Sequence, residues 1–440
     1  MALEIDTQII RLLDHWPEDN FSSSVIICNP TGVKSAKVLL KKVLAGGAEK
    51  ITLITTDYLV FQSLRPTDGN TVTINASIVS WEKLLSTSNN QPENSAGELV
   101  LKRNDTKPLH NSINKGSNTK LIELFFGIPV FSSKRNIKSG ENDIIYFIAK
   151  SKPEVRFLSQ LLAQVGPKRF FAIGANDAGG KSFASTLKDM PIYLEKIQSK
   201  AKHSLWYGTL NGHVNSVNID SEKLEYDLPC ADQVVRVASF PGVFSTAHLD
   251  PGSELLIEVL EDIFAERGRP WESIVDIGCG SGVLSISLCI KGMVLKKVSL
   301  TDCSYLALAS SYFNFNRLFV KKNSIENRKN HNGKSGDFDC VPWRIMPSDS
   351  GEGLEIEEAP DLVISNPPFH RGKRQDTEIF ARIARNAYDM LCLGGEFIFV
   401  ANSFLKYYPV VEQIFGNSKT LKRNRSYSVY RSIVQKKKVK

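Results

Sequence analysis

The chain spells the same series twice: an apolar, β-branched run, a turn, a helical period and a second apolar run. In the first half "SSSVIICNPTG" leads to "VKSAKVLLKKVLAGG" and then to "EKITLITTDY", ending at Asp57 and Tyr58. In the second half "ESIVDIGCGSGVLSISLCIKG" leads to "KKVSLTDCSYLALASSYFNFNRL", whose strand ends in Asp302. Near-continuous apolar runs belong to strands buried on both faces, and strands alternating with helices pair in parallel. The pattern therefore predicts an α/β fold of two tandem Rossmann-like domains, each a mostly parallel, doubly wound sheet. The first series continues through "DIIYFIAK" as a strand, "KPEVRFLSQLLAQV" as a helix and "KRFFAIGAN" as a strand. The second continues through "APDLVISNPPFH" and "DTEIFARIARNAYDMLCLGGEFIFVANSF" to a closing antiparallel pair around "KTLKRNRSYSVYRSIV". The expected division is residues 1–225 and 226–440, and duplication of one ancestral unit is the economical explanation.

A length of 440 residues accommodates that division. Residues 86–119 and 321–340 are polar and rich in Asn, Ser and Lys, which predicts two surface insertions. No apolar run approaches the ~18 residues of a membrane span. The start "MALEIDTQIIRLLDHW" mixes acids with apolar residues and lacks a signal-peptide pattern, so a cytoplasmic protein is expected. Seven cysteines without a C-x-x-C read as small core residues, with neither a disulfide framework nor a metal site. The formal net charge of +8 favours a polyanionic partner. The tail "SIVQKKKVK" would attract phosphate or lie solvated, and the sequence does not separate the two.

"VDIGCGSG" places Asp276, Gly278, Gly280 and Gly282 between a strand and a helix. Glycines there let the backbone turn sharply and let a ligand approach more closely than a Cβ would allow, and the helix start offers unpaired amides. Asp302, at the end of the next strand, suits the two hydroxyls of a ribose. The spacing is G-x-G-x-G rather than the dinucleotide G-x-G-x-x-G. It resembles the cofactor loop of class I S-adenosylmethionine-dependent methyltransferases. "IGANDAGGKS" imitates a phosphate loop, but G-x-x-x-x-G-K-S needs glycine where Ala175 stands, so an NTPase is set aside.

"ISNPPFHRGKRQ" then acquires a chemical reading. Two prolines after Asn366 hold an extended, stiff turn off a strand end. The Asn366 side-chain oxygen and the Pro367 carbonyl can accept both protons of a conjugated amine, and Phe369 can stack on its planar group. His370, Arg371, Lys373 and Arg374 follow directly, as a solvated helix start or as contacts to phosphates flanking a flipped nucleotide.

"SNPPFHRG", "VDIGCGSGVLS", "SFPGVFSTAHLDPGSELLIEVL" and "GGEFIFVANSFLKY" together resemble the ribosomal RNA small subunit methyltransferase C family, over roughly 234–435. "IIYFIAKSKPE" and "FFAIGANDAGGKS" carry a fainter likeness in the first half. The resemblance implies two tandem class I methyltransferase folds, each sheet closed by a C-terminal antiparallel strand, and transfer of methyl from S-adenosylmethionine to the exocyclic N2 amine of a guanosine in 16S ribosomal RNA. It assigns the cofactor to Asp276, Gly278, Gly280, Gly282 and Asp302, with Asp349 as an adenine-side contact. Asn366, Pro367 and Phe369 become the amine clamp. The substrate side falls to His370, Arg371, Lys373 and Arg374. Phe244 and Ser245 either line the pocket or belong to an edge strand. The first domain, with one glycine in "ICNPTGVKS" and no Asn-Pro-Pro, would be a degenerate support that holds RNA. The expected partner is 16S RNA or the small subunit, met by a monomer without metal or membrane. A large-subunit guanine, an adenine amine or a protein glutamine would satisfy the same clamp. A non-catalytic RNA-binding assembly factor would keep the fold.

Overall fold

The computed structural model describes residues 21–30, 33–64, 73–78, 97–99, 121–126, 141–200, 202–212, 219–230, 233–319, 341–368, 373–405 and 407–437. The chain forms two compact units, Met1–Leu84 with Leu101–Lys223, and Leu85–Val100 with Leu224–Lys440. The first holds strands Ser24–Cys28 (β1), Lys50–Thr55 (β2) and Thr73–Ile78 (β3), while Gly97–Leu99 (β4) passes to the second sheet. Then come Leu121–Phe126 (β5), Asn142–Phe147 (β6), Arg169–Ala175 (β7), Ile192–Lys200 (β8) and His203–Leu210 (β9). Its helices are Val33–Ala45 (α1), Tyr58–Leu64 (α2), Lys152–Ala163 (α3) and Phe183–Thr186 (α4). The sheet order β3-β5-β2-β1-β6-β7-β9-β8 is parallel through β7 and antiparallel at β9.

The second unit opens with a separate hairpin, Leu224–Cys230 (β10) and Gln233–Ser239 (β11). Its main sheet contains Trp271–Ile277 (β12), Val294–Asp302 (β13), Trp343–Pro347 (β14), Leu362–Ser365 (β15), Glu396–Asn402 (β16), Lys419–Arg423 (β17) and Tyr427–Ile433 (β18). The order β17-β18-β16-β15-β12-β13-β14-β4, read from its other end, repeats the first sheet strand for strand, and again one strand, β18 here as β9 there, runs against the rest. Five helices accompany it: Pro251–Arg267 (α5), Val283–Ile290 (α6), Tyr305–Phe319 (α7), Lys373–Met390 (α8) and Tyr408–Phe415 (α9). Phe380, Ile383, Ala384, Ala387 and Leu391 recur at helical spacing along and just beyond α8, forming one apolar stripe. That stripe is buried against Phe397 and Phe399 of β16, with the Phe380 ring stacked on Tyr407. The order reverses beside β12, so a crevice opens at the carboxyl ends of β12 and β15, where open α/β sheets bind ligands.

Two expectations change, and a third stands. The insertion expected over 86–119 contributes β4, which pairs with β14 through Gly97 to Leu99; the rest of it, like 321–340, lies outside the described residues. Residues 241–248 form turns, not an edge strand, and leave Phe244 exposed. The phosphate-loop look-alike is a closed turn: the Trp206 indole donates to Gly180 O at 2.8 Å, and Asn176 Oδ1 accepts from Ser204 at 2.6 Å. At the tail, Lys437 Nζ donates to the carbonyls of Tyr388 and Asp389, where a cation complements the C-terminal end of α8.

Candidate active site

The glycine loop begins where β12 ends. Gly278 and Gly280 hold φ of 77° and 57°, a region that side chains with a Cβ rarely adopt, and a Cβ at either would meet nothing within 4 Å. The bare backbone thus faces open space that a ligand can fill. Gly282 differs: a Cβ there would lie 3.1 Å from Ser311 Oγ and 3.2 Å from Phe315 Cε2, so its glycine lets α6 pack on α7. The loop is pinned from beneath. Gly278 and Cys279 donate to Thr301 O at 2.8 and 3.1 Å, Ser311 Oγ donates to Gly280 O, and Asn314 Nδ2 donates to Ser281 O. Asn314 and Ser310 of α7 also bind the backbone of Ala238 and Phe240, which fastens the β10-β11 hairpin onto the same helix.

Two carboxylates flank this loop. Asp302 is oriented by backbone amides, Gly280 N at 3.1 Å and Ser304 N at 2.8 Å. Asp276 is fully buried; its Oδ2 accepts from Ser285 Oγ at 2.8 Å, while Oδ1 has no partner among the described residues. Burial pushes its carboxyl up to about 7, the Ser285 hydrogen bond pulling the other way and the charge of Asp302 adding to the rise. Asp349, following β14, is held in an ion pair with Arg382 and accepts from Ser350 Oγ at 3.0 Å. The sequence offered no signal for the Arg382 pairing.

The strand next to β12 delivers the amide. Ser365 Oγ donates to Ile277 O at 2.8 Å and ties β15 to the glycine strand; Asn366 follows. Its Nδ2 donates to Asp250 Oδ2 at 3.0 Å and to Ser253 Oγ at 2.8 Å. A carboxylate only accepts, so this pairing fixes which end of the amide faces it. Asn366 Oδ1 points away, buried and without a partner among the described residues. Pro367 is buried and Pro368 exposed. Phe369, His370 and Arg371 lie outside the described residues, and of Lys373 and Arg374 only their place at the start of α8 is defined.

Asp250 and Ser253 are the residues the sequence reading missed. Asp250 caps α5, accepting from Ser253 N at 3.0 Å, with Pro251 in the first turn. Asp-Pro before an apolar periodic run is a helix-start signal, but nothing in it points to an amide 116 residues away. Tyr427 lies against Gly252, close enough that a Cβ there would come within 3.0 Å of its ring. Tyr226, from β10, is pushed up to about 12 by burial and then by the charge of Asp250, a hydrogen bond with Ser281 offsetting part of the rise. One carboxylate therefore joins the start of α5 to the Asn-Pro turn. No group of three or more His, Cys, Asp or Glu among the described residues is arranged to hold a metal ion, and no described helix is long and apolar enough to cross a membrane.

Comparison with known proteins places this geometry. Residues 234–431 match the Methyltransferase small domain and residues 117–226 its N-terminal counterpart, Methyltransferase small domain N-terminal. The ribosomal RNA small subunit methyltransferase C of Aliivibrio salmonicida is 30% identical over 317 residues, 70% of this chain and 81% of that protein. Its namesake from Sodalis glossinidius is 32% identical over 302 residues, 68% and 75% of the two chains. A solved structure, the T. thermophilus 16S rRNA N2 G1207 methyltransferase with AdoMet and guanosine, superposes with a TM-score of 0.67. That likeness covers 97% of this chain and 91% of the other at 17% identity, and it speaks to the fold. With such relatives along most of its length, the chain belongs to the ribosomal RNA small subunit methyltransferase C family.

Proposed function

We propose that this chain methylates the exocyclic N2 amine of a guanosine in 16S ribosomal RNA, using S-adenosylmethionine, and that the second unit carries the chemistry. The observation that carries the reading is the Asn366 amide, whose NH2 is committed to Asp250 and Ser253 and whose oxygen is buried and unspent. An aromatic amine is a poor nucleophile because its lone pair is conjugated with the ring. Two acceptors in the plane of its hydrogens, Asn366 Oδ1 and the Pro367 carbonyl, hold it and favour rehybridisation at nitrogen. The hold must be rigid, since displacing a reacting atom by about 1 Å costs on the order of a hundredfold. The Asp250 latch and the proline pair supply that rigidity. Phe369 serves as the stacking platform, and His370, Arg371, Lys373 and Arg374 receive the flanking phosphates.

The residues present fit the cofactor. Open space over Gly278 and Gly280 accepts a ligand against bare backbone, Asp302 meets the ribose, and the unpartnered Asp276 oxygen favours a cationic or hydrogen-bond-donating group. Gly282 serves by packing, and Asp349 takes the adenine side. When bound, S-adenosylmethionine supplies an electrophilic methyl on a sulfonium. The first unit acts as a folded support that holds RNA, and the protein works as a cytoplasmic monomer.

The test is transfer of labelled methyl to unmodified 16S RNA and small subunits, followed by mass mapping. N2-methylguanosine formed by the wild type and lost in Asn366→Ala, with cofactor binding retained, supports the reading. Label on another base or on protein, or transfer indifferent to Asn366, overturns it.

A further inference from the structure

Beyond the Asn-Pro turn, the same carboxyl edge of the second sheet carries a surface that the amine clamp does not use. Past β16 the chain places Phe404 63% exposed between half-buried Ser403 and buried Leu405. Beside it stands the β17-β18 turn. Ser403 N donates to Ser426 O at 2.8 Å, and Ser403 Oγ donates to Asn424 O at 3.3 Å. The turn is stiff, because Asn424 Oδ1 accepts from both Ser426 N and Tyr427 N, at 2.9 and 2.7 Å. It presents Arg423 and Arg425 to solvent, and neither forms an ion pair among the described residues. From the turn a chain of contacts reaches the clamp: Tyr427 lies on Gly252 beside Asp250, and Asp250 binds Asn366.

We propose that Phe404 and the Arg423–Arg425 turn form a docking rim for single-stranded RNA next to the target nucleotide, a flanking base stacking on Phe404 and two phosphates lying on the arginines. The proposal rests on the RNA reading given above. A single exposed aromatic is ordinary on any surface. This one is fixed by its backbone beside two cations that form no ion pair among the described residues, on a rigid turn at the edge where the substrate must arrive. Stacking on an aromatic with cations tracking the backbone is how single strands are held without sequence preference. It would also steady the strand while one base is swung out of its stack.

The experiment pairs equilibrium binding of labelled, unmethylated 16S RNA to the full-length protein with methyl transfer to the same RNA. Phe404→Ala and Phe404→Leu are expected to weaken RNA binding about tenfold, and Phe404→Trp to restore it, because stacking needs a π-face and apolar packing does not. The double variant R423A/R425A is expected to lower the slope of log affinity against log salt by about 1.4, two phosphate contacts on a single strand. Cofactor affinity and single-turnover rate at saturating RNA should stay within about twofold, as expected of residues that never touch the reacting atoms. Phe404→Leu binding RNA as the wild type does, or an unchanged salt slope in the double variant, overturns the docking rim. Wild-type protein that binds RNA yet transfers no methyl overturns the proposed activity instead, and the binding series still decides the rim.

Discussion

The first and second units run their strands in the same order, so each position of one has a counterpart in the other. Asn29 N donates to Ile54 O at 2.7 Å just as Gly278 N donates to Thr301 O at 2.8 Å, and both residues take left-handed φ, 57° and 77°. From that anchor Ile27 stands where Asp276 does, and Thr55 where Asp302 does. On the neighbouring strand Cys28 pairs with Tyr146 and Asp276 with Ile364, which puts Phe147 at the place of Asn366. Ile27, Thr55 and Phe147 are all fully buried. One unit uses these positions to complete a core. The other keeps there a buried carboxyl oxygen and a buried amide oxygen, each without a partner among the described residues and costly to bury, and a half-buried acid at a strand end. Asp57, which the sequence suggested as the match for Asp302, lies two residues past Thr55 and takes up Val60 N at the start of α2.

Exchanging the counterparts gives the sharpest contrast. Asn366→Ala is expected to lower the rate of methyl transfer by on the order of a thousandfold, the scale of losing a preorganised hydrogen-bonding group at the reacting centre. Cofactor affinity measured by calorimetry should barely move. Phe147→Ala should do the reverse: about 3–5 kcal/mol of lost stability from an emptied core position, and an unchanged single-turnover rate wherever the protein remains folded. Equal losses of rate in both variants would break the division between the units.

Asp276 against Ile27 yields a pH effect. The folded carboxyl titrates near 7 while an unfolded one titrates near 4, so between those values the folded state binds more protons and stability falls as pH rises. The stability is fully present below about pH 4 and lost as pH passes about 7, a change of roughly 4 kcal/mol. Asp276→Asn removes the titration. Denaturant unfolding of wild type and variant should therefore give curves that diverge across this window; parallel curves would mean that the carboxyl is not held neutral.

A smaller effect separates Asp302 from Thr55. Removing a carboxylate that hydrogen-bonds a ligand costs about 1.5–3 kcal/mol, so Asp302→Ala should weaken S-adenosylmethionine about ten- to a hundredfold. Thr55→Ala should leave that affinity alone, and titration should find one cofactor per chain. A second equivalent of cofactor bound would show that the first unit has kept a working pocket.

What could be read from the sequence follows from how local each signal is. The buried strands, the glycine loop and the stiff turn after Ser365 are written in consecutive residues, and alternation with helices was enough to expect parallel pairing, though not the order in which the strands pair. The antiparallel close of each sheet was expected and is present, but the residues that form β8 and the β10-β11 hairpin were not legible, because their apolar residues are interrupted: β8 is exposed along most of its length. β4 hid inside a polar stretch whose composition reads as loop. The Asp250 latch hid for a different reason. Capping α5 is reason enough for an aspartate before a proline, and its second task depends on a fold that brings β15 across to that helix start.

That double task makes Asp250→Asn the most delicate test of the comparison, since the first unit has Phe147 at the latched position and needs no such partner. Asparagine caps helices about as well as aspartate, so α5 should keep its start and the melting temperature should shift little. The latch changes more. A carboxylate can only accept, and it forces the NH2 of Asn366 toward itself; an amide at position 250 offers an oxygen or an NH2, and the Asn366 side chain can then turn its own oxygen inward to meet it. Each turned molecule presents an NH2 to the target amine and repels it. A reduction of roughly two- to tenfold in the transfer rate is expected, on the scale of one neutral hydrogen bond, with cofactor affinity and stability unchanged. Asp250→Ala should add the loss of the cap, about 1 kcal/mol, to the same kinetic defect. If Asp250→Asn transfers methyl as fast as the wild type, the orientation of Asn366 is set by the Asn-Pro-Pro backbone alone, and the carboxylate is a cap and nothing more.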